Sequence, residues 1–101
     1  FTTLLRLVQI EGSREVAHYP LAAETLIGRA PTSDIVLPDP SIAMRHALIR
    51  AGEPCTIGVV DPKGTVAVNG VSVPAGGAAS VDPGDQIAIG MLTFRLDGAG
   101  P

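Results

Sequence analysis

Glycine and proline interrupt this chain too often for long helices to form. Twelve glycines and nine prolines are scattered over 101 residues. They leave few windows longer than about ten residues, and short isolated helices are marginal in water. Between the interruptions lie short runs rich in Val, Ile, Leu and Thr. Those runs predict strands near residues 3–10, 15–20, 25–29, 34–37, 46–51, 55–60, 66–68, 71–73, 79–81, 85–89 and 91–96.

Local chemistry supports this reading. Apolar and polar residues alternate through Leu92-Thr93-Phe94-Arg95-Leu96, the two-residue period of a strand. Val66-Ala67-Val68 and Val71-Ser72-Val73 flank Asn69-Gly70, a dipeptide suited to the positive φ angles of a tight hairpin. In Asp82-Pro83-Gly84-Asp85, Pro presets φ and Gly relieves strain, which is again a turn. The rival helix is 41–51. Its apolar stripe from Ile42 would include Arg45 and His46, so a loop leading into a strand is expected instead. Many short strands at near-regular spacing predict an all-β, two-sheet sandwich. The chain is expected to be one domain over 1–101, with 97–101 as the start of a linker or tail.

Seven Lys/Arg stand against ten Asp/Glu without charge runs, which argues against nucleic acid as a partner. Aromatics are confined to Phe1, Tyr19 and Phe94, so stacking platforms for bases are also missing. Apolar runs are too short to insert in a membrane. Cys55 is alone, which excludes an internal disulfide and a thiolate zinc site and fits a reducing, cytoplasmic setting. No secretory leader is visible, and a start at Phe1 rather than Met leaves room for a preceding segment. Paired His, Cys or carboxylate clusters and Gly-rich phosphate loops are absent. The sequence therefore predicts no enzyme, no metal and no cofactor.

Three segments, in order and at consistent spacing, resemble the forkhead-associated (FHA) family. The first is Ile27-Gly28-Arg29 followed by Ser33-Asp34-Ile35-Val36-Leu37. The second is Asp39-Pro40-Ser41-Ile42-Ala43-Met44-Arg45-His46-Ala47. The third is Val68-Asn69-Gly70 followed by Gly84-Asp85-Gln86-Ile87-Ala88-Ile89-Gly90. Together they cover roughly residues 26–96. The resemblance implies an FHA/SMAD-like sandwich of about eleven strands whose loops at one end bind a phosphothreonine peptide. A phosphate carries about −1.5 to −2 charges and three acceptor oxygens, so arginine, hydroxyls and backbone N–H groups must converge on it.

Carried over residue by residue, the resemblance assigns Arg29 to phosphate and makes Gly28, His46 and Gly70 structural, with His46 bracing the loops rather than acting as a base. It also expects a serine three places before the histidine, a cation after it, and Ser/Thr-x-Asn in the loop before the hairpin. This chain has Ala43, Met44 and the short loop Asp61-Pro62-Lys63-Gly64-Thr65-Val66 at those places. Arg29 could instead pair with Asp34 or Asp39. Arg45 and Lys63 are either replacement phosphate donors or solvated loop cations. Ser41 and Thr65 are either substitute hydroxyls or turn residues bonded to their own backbone. Asn69 shapes its turn or reaches residues flanking a phosphothreonine. Ile42 and Met44 are candidate apolar contacts in a loop that ought to be polar.

The expected function is non-catalytic protein–protein docking or assembly within a larger protein, independent of phosphate. FHA-like domains of bacterial secretion machinery and ATPases supply the analogy. The alternative is phosphothreonine-peptide recognition in Ser/Thr kinase signalling. A part in an enzyme is a distant third.

Overall fold

A computed structural model of the chain describes residues 4–99 and contains no helix among them. Eleven strands form in order: β1 (Leu4–Glu11), β2 (Arg14–Pro20), β3 (Glu24–Gly28), β4 (Ile35–Val36), β5 (Ala47–Arg50), β6 (Thr56–Val59), β7 (Val66–Val68), β8 (Val71–Ser72), β9 (Ala78–Ser80), β10 (Gln86–Ile89) and β11 (Leu92–Ala99). They build two sheets, β2-β1-β11-β10-β7-β8 and β4-β3-β5-β6-β9. All pairs are antiparallel except the two-residue ladder of β3 with β4.

The strands sit where apolar side chains alternate. Ile57 and Val59, Val66 and Val68, Ile87 and Ile89, and Phe94 and Leu96 each place two residues on the inner face. With Leu7, Ile27 and Ile49 they form one core shared by both sheets. Phe94 is its largest member, and aliphatic residues with Cys55 supply the rest. The turn chemistry read from the sequence is realised. Asn69 has φ 50° and Gly70 φ 83°, the left-handed pair of a type I′ hairpin between β7 and β8. Gly84 has φ 95°, and the Asp85 N–H donates to the Asp82 carbonyl at 3.0 Å, as a Pro-Gly type II turn requires.

Two expectations are corrected. Asp97, Gly98 and Ala99 are not a linker. They extend β11 and pair with Arg6, Leu5 and Leu4 of β1, since unpaired N–H and C=O groups along that length of β1 would otherwise need water. Gly100, Pro101, Phe1 and Thr3, which also figured in the sequence reading, lie outside the described residues. Ile42 is not a surface contact: it is 1% exposed and belongs to the core. The apolar run 42–44 is therefore split, with Ile42 inward and Met44 outward.

Strand directions gather the loops at two ends. Loops 29–34, 37–46 and 60–65 and the turn 90–91 meet at one end. Segments 21–23, 51–55, 69–70 and 81–85 meet at the other.

Candidate functional site

The loop end is assembled around a buried histidine. His46 is fully buried, and its side chain joins two loops that are distant in sequence. The Ala43 N–H donates to Nδ1 at 3.0 Å. Nδ1 therefore carries no hydrogen, and Nε2–H donates to the Thr65 carbonyl at 2.8 Å. The backbone of His46 adds two ties, its N–H to Ile27 O at 2.9 Å and its carbonyl to the Val60 N–H at 3.0 Å.

Two glycines make room for this brace. A Cβ on Gly64 would come 2.9–3.1 Å from the His46 ring, and the ring cannot retreat because both its nitrogens are bonded. A Cβ on Gly28 would overlap the Met44 carbonyl. That close approach lets the Arg29 and Ala30 N–H groups reach Ala43 O at 3.0 Å and Met44 O at 3.1 Å. Gly28 and His46 thus hold the 41–46 and 61–65 segments against each other. Gly64 is a brace residue that the sequence reading passed over. The only available signal was a glycine closing a turn beside Thr65, and turn glycines usually serve φ alone.

Arg29 caps this arrangement. It is exposed, and its Nε donates to Ile42 O at 3.0 Å, which fixes the guanidinium over the 41–44 segment. It pairs with neither aspartate suggested by the sequence. Asp34 accepts the Leu26 N–H at 2.8 Å. Asp39 accepts both the N–H and the hydroxyl of Ser41, at 2.9 and 2.6 Å. The Ser41 hydroxyl bond, then its backbone N–H, hold the Asp39 carboxyl below the usual carboxylate range. Arg45 and Lys63 are exposed at the same end. Among the described residues no carboxylate forms a salt bridge with Arg29, Arg45 or Lys63; the ion pairs involve Arg50, Arg95 and His18.

The candidate hydroxyls and amide divide differently. Ser41 is committed: its hydroxyl donates to Asp39 and accepts the Met91 N–H at 2.9 Å, tying the 37–46 loop to the β10–β11 turn. Thr65 presents an exposed side chain while its carbonyl receives His46 and the Gly90 N–H, the latter at 3.0 Å. The 61–64 loop is a closed turn, with the Lys63 N–H on Asp61 Oδ1 and the Gly64 N–H on Asp61 O, both at 2.8 Å. Asn69 is not brought to this end. It sits at the far end of β7, where its Oδ1 accepts the Gln86 N–H at 2.9 Å and its own N–H reaches Gln86 O at 2.8 Å. Gly70 shares that turn. The backbone N–H of Asp82, then the Asn69 amide, lower the Asp85 carboxyl there.

A separate shallow cleft of about 440 Å³ lies on the outer face of the six-stranded sheet, lined by residues including Ile10, Ser13, Glu15, Gln86 and Arg95. Its one cation is spent: Arg95 bonds Asp97 at 2.8 Å and Glu15 at 2.6 Å. Cys55 is buried, and burial, then Asp82, push its thiol up, so it offers no ready nucleophile. No group of three potential metal ligands exists among the described residues. No helix among them is long and apolar enough to cross a membrane.

Residues 25–90 match the family model described as FHA domain. The FHA domain of the CT664 protein from Chlamydia trachomatis superposes with a TM-score of 0.82 at 26% identity, over 93% of this chain and 96% of that one. EmbR of Mycobacterium tuberculosis, solved in complex with a low-affinity phosphopeptide, matches at a TM-score of 0.82 and 31% identity over 97% of this chain. This chain spans only 25% of that one. The N-terminal FHA domain of Rad53p from S. cerevisiae, solved with a phosphothreonine peptide, shares the fold at a TM-score of 0.77 and 17% identity, covering 94% of this chain and 93% of that one. No curated protein matches the sequence.

Proposed function

Since the chain belongs to the FHA domain family, whose members are protein–protein interaction modules that often bind phosphothreonine peptides, we propose that it docks onto a partner protein through the loop end without requiring phosphothreonine. One observation carries this reading. The two positions where the family pattern supplies a hydroxyl and a cation hold Ala43 and Met44, and the neighbouring hydroxyl of Ser41 is already bonded to Asp39 and Met91. Each charge-assisted hydrogen bond contributes about 1.5–3 kcal/mol, so two missing donors weaken phosphate capture by orders of magnitude.

Arg29, Arg45 and Lys63 are the polar contact residues of this reading, with Thr65 beside them and Met44 as the apolar one. Asn69 supports its turn. The role is non-catalytic, and the domain acts as a docking or assembly module of a larger protein, as the fraction of EmbR it spans illustrates. The buried, lone Cys55 fits a cytoplasmic setting.

Phosphothreonine recognition is the second reading, favoured by three loop-end cations without salt-bridge partners among the described residues. A partner recovered on the immobilised domain separates the two. After phosphatase treatment it is expected to bind within about twofold of its original affinity, a change of less than 0.5 kcal/mol. Loss of binding on dephosphorylation transfers the function to the second reading.

A further inference from the structure

Both methionines of the chain stand out from the same end of the sandwich. Met44 is 48% exposed and Met91 83%, although methionine is a residue that folding ordinarily buries. Of the six exposed large hydrophobics among the described residues, Met44, Met91, Val36 and Val60 lie at the loop end. The two methionines are held at opposite ends of one loop segment. The Met91 N–H donates to Ser41 Oγ at 2.9 Å, and Gly90, with φ 58°, passes so close to Ser41 and Ile42 that a Cβ there would meet Ser41 O at 2.6 Å. Met44 closes the same segment, its carbonyl fixed by the Ala30 N–H at 3.1 Å. The 41–44 segment thus has Met91 at its start, the Arg29 guanidinium at Ile42 in its middle and Met44 at its end.

Long, unbranched thioether chains fill irregular gaps and suit adaptable protein contacts. Here they alternate with cations. Arg29, Arg45 and Lys63 form no salt bridge among the described residues, while Asp34, Asp39 and Asp61 are turned onto N–H groups of their own surroundings. Such a surface matches negative charge and one apolar side chain together. Resting on the docking reading above, we infer that Met44 and Met91 are the apolar anchor site of the loop end, and that its partner is an unphosphorylated acidic segment carrying an aliphatic side chain of the leucine class. The acidic residues oppose Arg29, Arg45 and Lys63, and the aliphatic group seats against the two thioethers.

The test is an NMR titration of the chain labelled at the methionine methyl groups, with the two resonances assigned through Met44→Leu and Met91→Leu. Four synthetic peptides serve as probes: an unphosphorylated Glu/Asp peptide with one central Leu, its Leu→Ala version, a version with Lys for every acid, and a version with phosphothreonine beside the Leu. Both methyl signals are expected to shift saturably with the acidic Leu peptide. The Ala version should bind at least about fivefold more weakly and the Lys version not at all. Met44→Ser with Met91→Ser should cost the Leu peptide a similar factor while the unfolding midpoint stays unchanged, since neither side chain belongs to the core.

Equal affinity for the Leu and Ala peptides, or still methyl signals during saturable binding, overturns the anchor site and leaves phosphate-independent docking standing. Binding of the phosphothreonine version alone overturns the docking reading as well. Absence of any saturable shift with the Leu peptide also overturns the anchor assignment.

Discussion

Beneath the loop end, Gly28, His46 and Gly64 lock three loops together through bonds of 2.8–3.1 Å and contacts that leave no room for a methyl group. Above that brace, Ala43, Met44, Lys63 and Thr65 meet solvent with few side-chain commitments. Gly28 and His46 stand where the resemblance expects structural residues, while Ala43 and Met44 stand where it expects phosphate donors. A chain that keeps the machinery for holding the loops while presenting other chemistry on them keeps a shaped surface. Docking needs a surface of that kind. Phosphate capture needs the donors as well.

The brace should show the largest effects of substitution. His46→Ala should cost about 3 kcal/mol or more, because it leaves the Ala43 N–H and the Thr65 carbonyl without their buried partner and opens a cavity. Gly28→Ala should be comparable, since its Cβ must displace the Met44 carbonyl and two backbone bonds with it. Urea unfolding measures both. A loss under about 1 kcal/mol for His46→Ala would remove the brace from the account.

Gly64→Ala should cost about 1–3 kcal/mol, as the pinned imidazole cannot give way. Asn69→Ala should cost about 1–2 kcal/mol, combining an unfavourable φ of 50° with a lost acceptor for Gln86. Partner affinity should not change with it, which separates a residue that serves the fold from those that serve the loop end. Calorimetry on the same samples checks both halves.

At the tips the order of effects reverses. Ala43→Ser with Met44→Arg should shift stability by no more than about 0.5 kcal/mol, yet raise affinity for a phosphothreonine peptide at least about tenfold. No gain in a folded double variant would mean that the residue correspondence is wrong.

The smallest effect is electrostatic. Asp39, Asp85 and Asp97 are each held below the ordinary carboxylate value, by Ser41, by the Asp82 N–H and Asn69, and by Arg95 respectively. Because the folded values lie below the unfolded ones, their stabilisation is present above about pH 4 and is lost as pH falls through the folded values. A urea midpoint that declines from about pH 5 toward pH 2 is expected, and a flat profile would contradict those contacts.

The strands and turns were legible in the sequence because their signals are local. Alternation within four or five residues marks β6, β10 and β11, and Asn69-Gly70 carries its own backbone preference. The loop end was legible only in part. The role of His46 came through the family resemblance, but its partners lie 3 and 19 residues away and nothing local names them. Ser41 is spent on Met91 across 50 residues, so a hydroxyl that looked available is not. Ile42 resembled an exposed contact because loop residues are usually outside; the close passage of Gly90 helps to seal it into the core. Met91 read as the start of a strand, and only the turn geometry puts it beside the 41–44 segment. The Gly- and Pro-containing tail read as a linker, whereas the pairing needs of β1 draw Asp97–Ala99 into β11.

The measurement that bears most directly on an intact brace beneath altered tips is an amide NMR titration with a degenerate phosphothreonine peptide pool and its unphosphorylated twin. No shift at Arg29, Arg45 or Lys63 that depends on the phosphate is expected. Saturable shifts at those three residues with the phosphorylated pool alone would contradict that expectation and restore phosphothreonine recognition as the function of this domain.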